Sequence, residues 1–175
     1  MLDKICRGND FSALTVSGIA SEAGVTRKTF YARFGSLEQV VESIVADLFR
    51  EIAAGITDEM LELPLGDNSL AIAVFKAYET HRDILAPLLR HCPAALFIGP
   101  VSAVDSVLLD RAVAVNGLPP LDEARRDYLL ATFASITHGV LSVWVERGFS
   151  ESPEQVARFM DTLLTDGLNK MLTRD

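Results

Sequence analysis

The stretch TVSGIASEAGVTRKTFYARF, Thr15 to Phe34, decides how this chain is read. Thr15 is a good N-cap, because its hydroxyl can accept a backbone N–H of the first helical turn. Behind it, Val16, Ile19, Ala20 and Ala23 recur at the i, i+3, i+4, i+7 spacing of one helical face. Gly24 stops that helix, since glycine takes the left-handed backbone of a helix end at little cost. Val25 is expected to be buried in the turn, and Thr26 caps a second helix running to Phe34. That helix has only about eight residues, too few to be stable alone in water. Phe30 and Phe34, four residues apart, must therefore pack inward on the helix before it.

The outer face of the second helix then has no core role. It carries Arg27, Lys28, Thr29, Tyr31 and Arg33. Two short helices at a glycine turn, with donors at the start of the second, can set a recognition helix in a DNA major groove. Arg27 and Lys28 can reach guanine O6 and N7, or phosphate. Thr29 can touch a base edge or a thymine methyl. Tyr31 and Arg33 are better placed for phosphate, where a contact positions without specifying sequence. Thr15 and Thr26 put hydroxyls and amides at helix N-termini, where phosphate is favoured. These seven residues are the candidate DNA contacts.

The segment resembles the TetR family of bacterial transcriptional regulators. The resemblance rests on Thr15, Val16, Ile19 and Ala20, on the run Ala23 to Thr26, and on Thr29, Phe30, Tyr31 and Phe34. Phe11, four residues before Thr15, fits as well. His81, Arg82 and Asp83, and later Gly139, Trp144, Gly148 and Ser152 to Glu154, look like the carboxy-terminal region of some members. The resemblance implies a bacterial cytoplasmic homodimer whose two heads read half-sites of a palindrome on double-stranded DNA. It also implies an inducer pocket in the body. The chain departs from the family pattern in its short first helix and missing basic lead. Asp10 stands where a glycine is usual, and Leu37 where a lysine looks like a phosphate contact. Fewer phosphate contacts predict a shallower dependence of binding on salt.

Working outward, the fold class is all-α: a three-helix head over residues 1–47 and a helical bundle over 48–175, about nine helices in total. The first helix is short, about Leu2 to Arg7, and a long fourth helix starts behind Ser36 and extends to about Leu63. Pro64 to Asn68 is the clearest loop. Helices follow at Ser69–Thr80, Arg82–His91, Ala94–Asn116, Asp122–Arg147 and Pro153–Thr173.

Charge agrees with this division. The net charge is −8, yet residues 1–35 carry five basic and three acidic side chains, leaving −10 on the rest. A slightly basic head on an acidic body suits a protein whose head alone touches phosphate. Apolar residues make up 49% of the chain, enough for a full core. Cys6 and Cys92 lie far apart without partners at metal-ligand spacing, so neither a disulfide framework nor a metal site is expected. No secretory leader follows Met1. Tyr128 to Val145 carries no charged residue over 18 positions, the threshold for a membrane span. Its serines, threonines and His138 favour a helix buried on most sides of a protein, with no membrane partner.

In the body, Phe75, Tyr78, Phe97, Phe133, His138 and Trp144 are the candidate pocket residues. The scarcity of charge around them points to an apolar inducer of unknown identity. Leu141, Val145, Met160, Leu164 and Leu168 are the candidate dimer-interface residues, on two helices apolar on more than one face. No catalytic constellation and no cofactor motif is present, so an enzyme is not expected. The function expected is a ligand-responsive regulator, a repressor. The alternative is an all-α binding or scaffold protein with a vestigial DNA head.

Overall fold

A computed structural model of the chain describes Ile5, Gly8, residues 10–65 and residues 69–173, with side chains through Leu164. Among these residues there are eight α-helices and no strand. They are α1 (Val16–Glu22), α2 (Arg27–Arg33), α3 (Leu37–Ala54), α4 (Ser69–Thr80), α5 (Arg82–His91), α6 (Ala95–Val115), α7 (Glu123–Glu146) and α8 (Pro153–Thr173). Of the expected first helix only Ile5 is described; it is helical and fully buried.

The elements end where their local chemistry requires. Ser36 caps α3, its Oγ accepting from the Gln39 amide at 3.3 Å, while Gln39 Oε1 accepts from the Gly35 amide at 2.7 Å. This reciprocal pair fixes the entry of the chain into α3. The expectation that α3 runs to Leu63 is corrected: it stops at Ala54, with Gly55 as C-cap. The chain then turns through a short 3-10 helix, Glu59–Leu61, so that Ile56 and Leu61 are buried. At the other end of the body, Ser152 and Gln155 form a second capping pair ahead of Pro153. Before it, Phe149 sits at φ 58 with its ring 4.9 Å from Trp144, so packing holds a backbone conformation that a side chain rarely adopts.

Two apolar clusters order the molecule. The head cluster is Ile19, Ala20 and Phe30, with Leu14, Val16, Phe34, Leu37 and Val40 against it. The main core is built on Val41, Val45, Leu48, Phe49 and Ile52 of α3 with residues of α4 to α8. One helix, α3, therefore supplies residues to both clusters, and the expected boundary at residue 47 falls inside it. Leu37, partly buried, packs on the head core. In the body α3 packs chiefly on α6, α4 on α8, and α7 on α6 and α5.

α7 is long and apolar enough to cross a membrane by length and composition alone. It is not buried on most sides, as the sequence suggested. Leu129, Ala134, Leu141, Trp144 and Val145 face inward, while Tyr128 and Val143 are exposed.

Candidate nucleic-acid interface

The head presents the second of its paired helices, α2, to solvent. Thr15 Oγ1 accepts from the Gly18 amide at 3.1 Å, and Thr26 Oγ1 accepts from the Thr29 amide at 3.1 Å, so each helix begins on a threonine cap. Between them Gly24 takes φ +66, and the Val25 amide donates back to Ala20 at 2.9 Å. This closes the turn with the left-handed residue that a side chain would strain. Phe30 is buried under α2, with Phe34 partly buried beside it, ring centroids 5.9 Å apart. Val25 is corrected: it is 40% exposed, because the closing hydrogen bond turns its side chain outward instead of into the helix pair.

Arg27, Lys28, Thr29, Tyr31 and Arg33 are all exposed on this unit. The Thr29 hydroxyl lies 2.9 Å from that of Thr26, so it is engaged at the helix cap. Tyr31 stands edge-on to Phe30 at 5.5 Å and is 49% exposed, so its ring is braced on one side and faces solvent on the other. The Arg33 guanidinium lies 5.5 Å over the Phe34 ring, which restricts a long side chain before any ligand arrives. No acidic side chain occupies the first turn of α2. Glu38 begins the next helix; its carboxyl is held below the usual range by its own backbone N–H and by Ser36.

The body holds a cavity of about 660 Å³ between α3, α4, α6, α7 and the 3-10 turn. Phe75, Tyr78 and Phe133 line it, with Ile52, Leu108 and Thr137. Phe97 and His138 do not; their rings pack together at 5.3 Å beside it, and burial pushes the His138 imidazole down. Trp144 also lies elsewhere, its indole Nε1 donating to the Glu151 carbonyl at 2.9 Å. Asn116 fixes the cavity edge: its side chain accepts from the Leu63 amide at 2.8 Å and donates to the Leu61 and Ala112 carbonyls at 2.8 Å.

Asp105 also lines this cavity, and it was not among the residues expected there. Its signal was available: an acid directly after Val104, on a helix whose Val101 and Val104 face inward. Burial pushes its carboxyl up to about 7. Cys92 is partly buried, and burial pushes its thiol up to about 11, which keeps it from forming a thiolate. Among the described residues no three His, Cys, Asp or Glu side chains form a metal-binding group.

The residues expected at a dimer seam are mostly inside the chain. Leu141 and Val145 are essentially unexposed and Met160 is buried, because they face α4 to α6 instead of outward; Leu164 is partly buried, and the side chain of Leu168 lies outside the described residues. The apolar residues that do face out on the same two helices are Val143, Phe159 and Leu163, all more than half exposed. They border a groove with Ile136, Gly139 and Val140.

The comparisons with known proteins bear on the head. The family model described as "Bacterial regulatory proteins, tetR family" matches residues 7–44, which take in α1, α2 and the start of α3. No curated protein matches the chain. Over those residues the helix pair with its exposed basic face is similar to the heads of bacterial regulatory proteins of the tetR family, which supports a DNA-binding transcriptional regulator.

Proposed function

We propose that the protein is a ligand-responsive repressor that reads a palindromic operator as a homodimer in the bacterial cytoplasm, and that it has no enzymatic activity. The observation that carries this reading is the continuity of α3. Its first turns pack on the head cluster through Leu37 and Val40, and its last turns form the cavity wall through Phe49, Ile52 and Ala53. A ligand in the cavity pushes on the same rigid rod that seats the reading helix. Heads of a dimer must stand about 34–36 Å apart, one turn of DNA, to dock on both half-sites. A tilt of α3 breaks that match, and DNA affinity falls.

Pairing of two chains is supported by the outward face of α7 and α8. Val143, Phe159 and Leu163 are exposed apolar side chains, and Gly139 beside them has open space where a Cβ would stand. A second copy laid across this face forms a four-helix seam and covers apolar surface that water otherwise contacts. The division of labour is then a reading head over residues 1–47 and a sensing and pairing body over 48–175.

The test is fluorescence anisotropy on the DNA upstream of the protein's own gene, with a candidate ligand titrated in. Binding as a dimer that the ligand weakens supports the reading. A ligand that demonstrably fills the cavity and leaves DNA affinity unchanged contradicts it.

A further inference from the structure

The cavity is apolar in its walls and one-sided in its charge. Among the described residues its charged lining groups are Glu59, Glu62, Asp105 and Asp161, and no lysine, arginine or histidine lines it. The nearby cations are engaged elsewhere. Arg111 Nε meets Asp58 at 2.6 Å, and Arg126 is committed to Asp110, with one contact at 2.9 Å, and to Ser106.

Two polar groups in the cavity have no hydrogen-bond partner among the described residues. Tyr78 is 5% exposed, its ring is held by Phe49 and Phe75, and its phenol finds no acceptor. Asp105, partly buried on the facing helix, makes no hydrogen bond and no ion pair. A buried phenol is almost always hydrogen-bonded in a folded protein, so the unpaired Tyr78 hydroxyl, with the partly buried Asp105 carboxyl close enough to act on it electrostatically, marks where a ligand supplies partners.

We propose that the cavity takes an organic monocation, an apolar body bearing one amine or ammonium charge, with that charge set against the Asp105 carboxylate and its apolar rings among Phe75, Phe133 and Tyr78. The inference rests on the reading of the cavity as the effector site and names the chemistry of the effector. Glu59 and Glu62 at the rim add to the negative field and favour entry of a cation. Aromatic faces reinforce the choice, since their quadrupoles attract positive charge. Burial alone raises the Asp105 carboxyl. A bound cation lifts that penalty by supplying the missing opposite charge.

The test uses three aryl probes on the full chain, the isosteric ions tetraphenylphosphonium and tetraphenylborate and the smaller neutral triphenylphosphine oxide, measured by calorimetry at pH 8. The phosphonium is expected to bind at least about ten-fold more tightly than the oxide, with no binding of the borate, as a close charge pair in a low dielectric requires. In Asp105→Asn the preference of cation over oxide is expected to shrink to about three-fold or less. Equal binding of oxide and phosphonium by the unaltered chain overturns the proposal, and so does a phosphonium that fails to bind or an unchanged preference in Asp105→Asn. Tighter binding of the oxide, a strong hydrogen-bond acceptor, also overturns it and assigns Asp105 to a neutral donor role. Failure of the effector reading looks different. Phosphonium binding that depends on Asp105 and leaves operator affinity untouched supports the cation site and contradicts only the effector role.

Discussion

Asp10 Oδ1 lies 3.1 Å from His91 Nδ1, a polar contact between residues 81 apart that ties the lead-in of the head to the end of α5 in the body. Asp10 stands where the family pattern has a glycine, so the departure has a local use. The contact is mostly exposed on the Asp10 side. Its expected worth in a double-mutant cycle of Asp10→Ala and His91→Ala, read by urea unfolding, is about 0.2–1 kcal/mol. A coupling indistinguishable from zero removes it as a link between head and body.

Asp105 makes stability depend on pH. Its folded pKa, about 7, lies above the ordinary 3.8, so the folded state holds its proton more tightly than the unfolded chain. Below pH 3.8 the group is protonated in both states and has no differential effect. Between 3.8 and about 7 the unfolded chain releases its proton while the folded state keeps it, so stability falls as pH rises. Above that window the folded state bears the cost of a partly buried charge, and each ten-fold difference in proton affinity is worth about 1.4 kcal/mol. Asp105→Asn is therefore expected to raise the thermal midpoint at pH 8 and to leave it nearly unchanged near pH 4. An equal gain at both values contradicts burial of the charge as the cause.

The outer face of α7 and α8 and the inner face of α7 give opposite outcomes. Val143→Asp and Leu163→Asp place charge on exposed positions. The chain is expected to keep its helical circular dichroism, sediment as a monomer and lose cooperative operator binding. Leu141→Asp places the same charge where exposure is zero and is expected to cost at least about 3–5 kcal/mol in stability, because an unpaired charge is buried. Dimers that persist in the double variant move the seam elsewhere.

Much of this was legible in residue order. Ser36 before α3, Ser152–Pro153 before α8 and Gly148 after α7 are local signals, and local hydrogen bonds set those ends. The outer face of α2 was equally legible, because Phe30 and Phe34 fix which side is inside. The rest depended on what packs opposite. Gly55 ends α3 although apolar residues continue to Leu63, since Ile56 and Leu61 turn back into the body. Leu141 and Val143 are equally apolar, and only the positions of α5 and α6 decide that the first is buried and the second faces out. Val25 carries an apolar side chain in a turn whose geometry points it to water.

Thr15 to Phe34 is expected to read DNA through the exposed face of α2. The direct measurement is anisotropy of the chain's own upstream DNA at moderate salt, with the double variant Arg27→Ala, Lys28→Ala beside the unaltered protein. Specific binding is expected, and the double variant is expected to lose roughly 2–6 kcal/mol of it, about 1–3 for each contact to a base edge, with the fold unchanged. Equal binding by both proteins, with no preference over random DNA, would contradict it.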